Sequence, residues 1–512
     1  MTPPRPRSSS PRSLASVLTA AEVATERTVG PTGVDVADVQ ISGVSLASGR
    51  VMPGDLYAAL PGSRVHGASF AADAAARGAV AVLTDAAGAG VIADAGVDLP
   101  VVVVEQPRRV LGVIAAQAYG DPASALRLVG VTGTQGKTTT TRLLEGALQA
   151  VDNAAAVVGT VGTRIAGREV ASALTTPEAP DLHALFAVMR EDGVETCAME
   201  VSSHALVMGR VDGVVFDVVG FTNLGRDHLD FHRDLEDYFE AKADLFTPGR
   251  ARRAVVDIDD EHGRRLAGRA LVPTVTLSTA GADADWTAVD VHLGPDASTF
   301  TAVGPTGRWE VQVPLAGEFN VANALLALAC AAEAGLDPAL VARGLGRSGG
   351  VPGRLERVDA GQGFSAIVDY AHKPDAVRAV LEALRPVTAG RLVVVLGAGG
   401  DRDTGKRPVM GEIAASLADV LIVTDDNPRS EDPARIRAEI LAGAQGGRAE
   451  VRDVAGRRTA IAEAVRLAAP GDTVLVAGKG HESGQEVAGV VEPFDDRRVL
   501  REEIERVGGG AS

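Results

Sequence analysis

Short apolar runs alternate along this chain with longer stretches in which apolar residues recur every three or four positions. The runs fall at 79–84 and 101–105, at 126–131, 154–158, 196–200 and 214–220, and again at 365–369, 392–397, 420–424 and 473–477. Each is strand-length. Between them, stretches such as 70–77 and the set Leu143, Leu144, Ala147 and Leu148 carry the helical period. Strands alternating with helices predict an α/β protein built on parallel sheets. No run is long enough to span a membrane, so none is expected to.

A chain of 512 residues is too long for one hydrophobic core. The pattern divides into a small α/β domain at 1–106, a doubly wound parallel sheet at 107–352 and a second, Rossmann-like sheet at 353–512. Gly350, Pro352 and Gly353 punctuate the last join. The first dozen residues, rich in Pro, Ser and Arg, and the stretch 508–512 are expected to be disordered. No apolar segment of the secretory kind follows the N-terminus.

Aromatic residues make up only 3% of the chain against 46% hydrophobic overall, so the cores must rely on Ala, Val and Leu. Lys and Arg total 50, Asp and Glu 67, for a formal net charge of −17. That balance excludes nucleic acid as the main partner, which would need a basic surface. A nucleotide needs only a local basic pocket. Cys197 and Cys330 cannot form a disulfide framework. Both lie in apolar runs and read as small core residues, which points to a reducing, cytoplasmic location.

The strongest local signal is GVTGTQGKTTT, Gly130 to Thr140, placed between an apolar run and a helical pattern. Strand, glycine-rich loop and helix N-terminus together form an anion cradle, and Lys137 adds a full positive charge. Thr138 offers a hydroxyl to a phosphate-bound Mg²⁺, and Gly133 and Gly136 let the backbone approach the phosphates. Glu200 closes the run 196–200, where a carboxylate can hold Mg²⁺. The polar loop FTNLGRDHLDFH brings His228 as a candidate ligand. Lys242, on a helical pattern, reads on spacing alone as a solvated cation. In the last domain three charged loops, GAGGDRDTGKRP, TDDNPRSEDP and AGKGHE, each follow a strand. The carboxyl ends of parallel strands share one edge, so these loops should converge. Arg402, Asn427, Arg429 and Glu482 there could read a substrate carrying carboxylate and ammonium groups.

Taken together, TGTQGKTTT, EVSSHAL, FTNLGRDHLDFH, EAKADLF, GEFNVANALLA, VPGRLE, VDYAHKPDA, GGDRDTGKRP, DNPRSEDP and GKGHE occur in an order that resembles the Mur ligases, and among them the tripeptide-synthetase (MurE) type. The likeness runs from about residue 40 to about 500. It implies an ATP- and Mg²⁺-dependent amide ligase of peptidoglycan synthesis. Such an enzyme adds meso-diaminopimelate to the D-glutamate of UDP-N-acetylmuramoyl-L-alanyl-D-glutamate through an acyl phosphate.

The resemblance also implies roles. Leu46, Ser48, Ser63, Arg64 and Val65 would hold the UDP end, and Thr175, Thr176, Ser202, Met208 and Arg210 the muramoyl-dipeptide. Gly133, Thr134, Gln135, Gly136, Lys137, Thr138 and Thr139 would bind ATP, with Asn320, Arg354 and Asp369 on its nucleoside side. Thr138, Glu200 and His228 would hold Mg²⁺. Lys242 would be carbamylated and bind a second Mg²⁺. Arg402, Asp426, Asn427, Pro428, Arg429, Gly478 and Glu482 would form the diaminopimelate pocket. The family's first-domain D-S-R reads Ala47-Ser48-Gly49 here, and Leu174 and Met208 replace polar residues of some relatives. A monomer acting on small molecules alone is expected. A folylpolyglutamate synthase-like ligase, a lysine-adding relative and a non-catalytic nucleotide-binding scaffold remain as alternatives.

Overall fold

The structure, a computed structural model, describes residues 4–8, 10–25, 27–29, 36–170, 172 and 174–509. It is a mixed α/β protein whose chain packs as two units. The first comprises 1–286 and 326–341, the second 287–325 and 342–512.

In the first unit, four short parallel strands, Gly43–Ser45, Asp55–Ala58, Ala81–Thr84 and Val101–Val103, form the N-terminal sheet with Arg27–Val29 added antiparallel at the Val101–Val103 edge. Its core is Val, Leu and Ala, as the scarcity of aromatics requires. The helix Pro107–Ala118 buries Leu111, Ile114, Ala115 and Ala118 in that same core, beside Leu14, Val44 and Leu83. The helix expected to open the second domain thus shares the core of the first, while it also packs against the helix Ala179–Glu191 of the central domain.

The expected disorder at the N-terminus does not describe the residues seen. Arg5 makes a two-pronged contact with the buried Asp55, at 2.7 and 2.8 Å. Ser8 donates its backbone N–H to Glu191 at 2.8 Å, and Arg12–Ser13 pairs as a strand with Gln40–Ile41. The rest of the expected tail, residues 1–3, 9 and 510–512, lies outside the described residues. Gly508 and Gly509 end the helix Asp496–Gly509.

Six strands of the central sheet run parallel in the order Ala155–Gly159, Thr196–Glu200, Arg127–Thr132, Phe216–Phe221, Ala251–Asp257 and Thr274–Ser278, and the antiparallel strands Gly162–Ile165 and Arg168–Val170 extend it beside Ala155–Gly159. The strand leading to the phosphate loop thus lies in the middle, where both faces are covered and a continuous apolar run is stable. One of its covering helices, Ala179–Glu191, turns Leu182, Leu185, Phe186 and Met189 inward at helical spacing. Full burial of such side chains contributes roughly 2 kcal/mol each. Cys197 and Cys330 are both buried and unbonded, as expected of core residues.

Asp257 ends one of these strands in a largely buried place, with Asp259 and Asp260 close by. Burial, then the neighbouring negative charges, pushes its carboxyl up to about 7. The folded protein therefore keeps a proton between pH 4 and 7 that the unfolded chain gives up. The associated stability is complete below the unfolded value and is lost as pH rises through the folded one. Asp257→Asn should raise the unfolding free energy at pH 8, read from urea titration, by on the order of 1 kcal/mol or more. The gain should shrink as pH falls toward 4; an equal gain at both values would sink this reading.

The second unit holds an antiparallel meander, Trp286–Leu293, Ser298–Gly304 and Gly307–Val313. It also holds a sheet in which Ser365–Asp369, Thr473–Ala477, Leu392–Leu396, Val420–Val423 and Glu450–Asp453 lie parallel in that order. Among the described residues no helix is long and apolar enough to cross a membrane.

Candidate functional site

The phosphate loop leaves the strand Arg127–Thr132 at its carboxyl end, and the helix Lys137–Gln149 begins at once. Gly136 takes a left-handed conformation at φ 89° as the residue before that helix. Gly133 sits at φ 143°, and a Cβ there would lie 1.8 Å from Thr222 Oγ1. The loop is pinned from the next strand. Thr222 Oγ1 donates to the Gln135 carbonyl at 2.6 Å, and Asn223 Oδ1 accepts from Gln135 N at 3.0 Å. Asn223 O also accepts from Thr134 N at 2.9 Å.

Two lysines meet at one carbonyl of this loop. Lys137 Nζ donates to Gly133 O at 2.8 Å and to Thr134 O at 3.1 Å. Lys242 Nζ, from the helix Leu235–Ala243, donates to the same Gly133 O at 2.9 Å. Lys242 is 1% exposed and stands 4.4 Å from the centre of the Tyr238 ring. The solvated cation expected from spacing alone is therefore a buried one, held by a carbonyl and an aromatic face. The Tyr238 hydroxyl lies 3.2 Å from Thr134 Oγ1, and burial raises the pKa of that phenol.

Glu200 ends the adjacent strand, in register with Val131, so its carboxylate stands beside the root of the loop. Its two oxygens accept from Thr160 N at 2.8 Å and Thr160 Oγ1 at 3.0 Å. His228 is in a left-handed conformation at φ 53°, with Nε2 3.3 Å from Asp227 and its ring 6.0 Å from that of Tyr238. Among the described residues no group of three or more His, Cys, Asp or Glu is arranged to hold a metal ion. Glu200 and Thr138 nevertheless present hard oxygen donors on adjacent elements. That suits Mg²⁺, which takes one or two protein ligands and fills its shell with phosphate oxygens and water.

The expected dipeptide residues are brought together beside Glu200. Thr176 Oγ1 donates to the Glu200 carbonyl at 2.8 Å and accepts from Ser202 N at 3.3 Å. Thr175 Oγ1 lies 3.0 Å from Thr160 Oγ1. Arg210 donates to Glu178 at 2.8 Å, to the Thr176 carbonyl at 3.4 Å and to the Met208 sulfur at 3.5 Å. In the N-terminal sheet, Leu46 and Ser48 follow the strand Gly43–Ser45, while Ser63, Arg64 and Val65 lie on an exposed loop. A hydrogen bond from Ser48 lowers the pKa of Asp73, so that hydroxyl already has a partner.

In the second unit, Asn320 is buried and donates to Ala316 O at 2.8 Å. Asp369 ends its strand and accepts from Leu355 N and Ala371 N, both at 2.7 Å. Burial raises its pKa, against the pull of the Arg354 charge. Arg354 lies over the Tyr370 ring at 4.7 Å.

The three charged loops do converge, because their strands are neighbours in one parallel sheet. Gly400 N donates to Asn427 O at 2.9 Å, and a Cβ on Gly400 would lie 1.9 Å from Pro428 O, so only glycine permits this approach. Arg429, at φ 55°, donates to Gly400 O at 2.5 Å and lies 3.6 Å from Glu486. Asn427 Nδ2 donates to Glu482 Oε2 at 2.9 Å. Asp426 Oδ2 is buried without a hydrogen-bond partner, 3.9 Å from Arg457, and a Cβ on Gly478 would come within 2.6 Å of it. Arg402 is exposed in the neighbouring loop.

The comparisons with known proteins fit this layout. The Mur ligase family catalytic domain matches residues 40–119, the Mur ligase middle domain 131–331, and the Mur ligase glutamate ligase domain 353–480. A Streptomyces avermitilis protein named UDP-N-acetylmuramoyl-L-alanyl-D-glutamate--2,6-diaminopimelate ligase is 57% identical over 478 residues, covering 92% of this chain and 94% of its own. The chain belongs to the Mur ligase family. A second such ligase, from Streptomyces coelicolor, is 58% identical, covering 92% of this chain and 94% of its own. A solved structure of a ligase with the same name superposes with a TM-score of 0.67 at 33% identity, covering 94% of this chain and all of that one.

Several residues of this Mur ligase that shape the sites went unsingled in the sequence. Tyr238 and Thr222 act on the phosphate loop, yet they read only as apolar spacing and strand end. Lys479 is fully buried within GKGHE, and a lysine between two glycines at a strand tip was the available signal. Conversely, part of the charge in the last domain is structural. Arg407 is fully buried and pairs with Glu431 and Glu439 at 2.8 Å each, and Arg457 pairs with Asp496 at 2.6 Å.

Proposed function

We propose that this Mur ligase joins meso-diaminopimelate to the D-glutamate of UDP-N-acetylmuramoyl-L-alanyl-D-glutamate, driven by ATP, in the cytoplasm and as a monomer. The observation that carries the reading is the meeting of Lys137 and Lys242 at the Gly133 carbonyl of a phosphate loop. The names borne by its relatives support the choice of substrates.

In this reading Gly133 to Thr139 cradle the ATP phosphates, with Lys137 swinging from its loop carbonyls to the γ-phosphoryl group. Asn320, Arg354 and Asp369 serve the nucleoside side. Thr138, Glu200 and His228 would hold Mg²⁺, with a carbamate on Lys242 for a second ion. Mg²⁺ bound there supplies charge neutralisation to the phosphates. The phosphoryl group passes to the D-glutamyl side-chain carboxylate, which Thr175, Thr176, Ser202 and Arg210 position. Phosphorylation turns a carboxylate oxygen, a poor leaving group, into a good one. The amine of diaminopimelate then attacks the acyl carbon, and inorganic phosphate departs from the tetrahedral intermediate. Asp426, Asn427, Arg429 and Glu482 hold the amino acid. Leu46, Ser48 and the loop 63–65 hold the UDP end.

The test is ADP and phosphate release across a panel of amino acids. Release should require both the UDP-muramoyl-dipeptide and meso-diaminopimelate. Equal release with L-lysine, or release without the dipeptide, would overturn the assignment.

A further inference from the structure

Lys479 lies in the loop after the strand Thr473–Ala477, and its side chain is 0% exposed. Its Nζ donates to Asn427 Oδ1 at 2.9 Å and to Glu482 Oε2 at 3.1 Å. The same Glu482 oxygen accepts from Asn427 Nδ2 at 2.9 Å. Asn427 Oδ1 accepts a second bond, from Glu486 N at 3.0 Å. Both ends of the Asn427 amide are thus dictated: two donors face its oxygen and a carboxylate faces its nitrogen. A flipped amide would set donor against donor and acceptor against acceptor. Lys479 therefore ties the loop that carries Glu482 to the loop that carries Asn427 and Arg429.

Burying a lysine ammonium is costly unless it is paired and hydrogen-bonded. Spending one at this position makes sense chemically if the separation of the two loops matters. A carbon bearing both ammonium and carboxylate needs an acceptor such as Glu482 and a donor such as Arg429 at a fixed spacing. An amine end that lacks the carboxylate needs only the acceptor.

We propose that Lys479 is a positioning residue for amino-acid selection, holding Glu482 and Asn427 at the spacing from Arg429 that a diamino diacid requires. The inference rests on the functional reading above. Lys479 reaches the substrate only through these two side chains. Losing it should penalise a substrate with a charged pair at its far end more than one with a lone ammonium there.

The experiment compares wild type and Lys479→Met by steady-state kinetics, with meso-diaminopimelate or L-lysine as acceptor. Methionine keeps the unbranched apolar stem and removes the charged amine, and Glu482, at 34% side-chain exposure, can be solvated once the lysine is gone. The expected result is a rise of about tenfold or more in KM for meso-diaminopimelate, a KM for ATP within about twofold of wild type, and a smaller preference for meso-diaminopimelate over lysine. Asn427→Ala should mimic the effect, and the double variant should be no worse than the poorer single one. If Lys479→Met does not fold, Lys479→Gln is read in the same way. Unchanged selectivity, or equal rises in both KM values, would overturn the inference. Wild type that turns over no meso-diaminopimelate would instead overturn the functional reading.

Discussion

Lys137→Ala should abolish ligation while leaving the protein folded. The side chain is half-buried at the first position of its helix, and its amine donates to the carbonyls of Gly133 and Thr134. Alanine is the best helix former, and the loop keeps its ties to Thr222 and Asn223, so stability should change little. Phosphoryl transfer, by contrast, depends almost wholly on positioning and charge stabilisation. If Lys137 serves the transferred group as proposed, losing its charge should lower kcat on the order of a thousandfold or more. Lys242 cannot substitute: its side chain is buried against the Gly133 carbonyl and the Tyr238 face, and as the proposed carbamate it would carry a negative charge. ADP release and circular dichroism, measured together, check the claim. Retention of more than a tenth of wild-type turnover in a folded variant would remove Lys137 from the mechanism.

Arg429→Ala should raise the KM for meso-diaminopimelate about a hundredfold. A guanidinium–carboxylate contact contributes about 3 kcal/mol at a sheltered site, which converts to that factor. The loop should survive the change. Its backbone is held independently by Arg429 N donating to Glu486 O at 3.0 Å and Ala488 N donating to Arg429 O at 2.7 Å. The left-handed backbone at Arg429 is tolerated rather than favoured, and alanine tolerates it no worse. The KM for ATP should stay within about twofold. A matching rise in both constants would mean that the substitution had loosened the domain instead of emptying a carboxylate site.

Much of the architecture could be read before any coordinates. The strands Thr196–Glu200, Ser365–Asp369 and Thr473–Ala477 begin and end where their apolar runs do. Their burial on both faces makes the apolar signal continuous and its limits sharp. The meander between Trp286 and Val313 was not read from the sequence: much of the strand Trp286–Leu293 faces solvent, and charged or polar residues break its apolar positions into pieces. The hairpin Gly484–Val487 and Val490–Pro493 was silent for the same reason. At the sites, Lys137 and Glu200 were legible because local geometry alone, a strand end meeting a glycine loop, places them. Lys242 was not. On a helix its spacing reads as solvent-facing, and only the arrival of Gly133 and Tyr238 encloses it.

Short-range order was thus written locally: which segments are strands, which loops sit at strand ends, and that a glycine-rich loop joins a strand to a helix N-terminus at Gly133 to Thr138. Which polar groups are taken up by pairing with each other came from the folded chain. The strand Thr473–Ala477 inserts between Ser365–Asp369 and Leu392–Leu396, out of chain order. That insertion brings Lys479 against Asn427, 52 residues away, while Arg407 and Arg457 are consumed by buried pairs. Hydrogen bonds and charges act over a few ångströms, so partners distant in sequence are chosen by the order in which strands lie side by side.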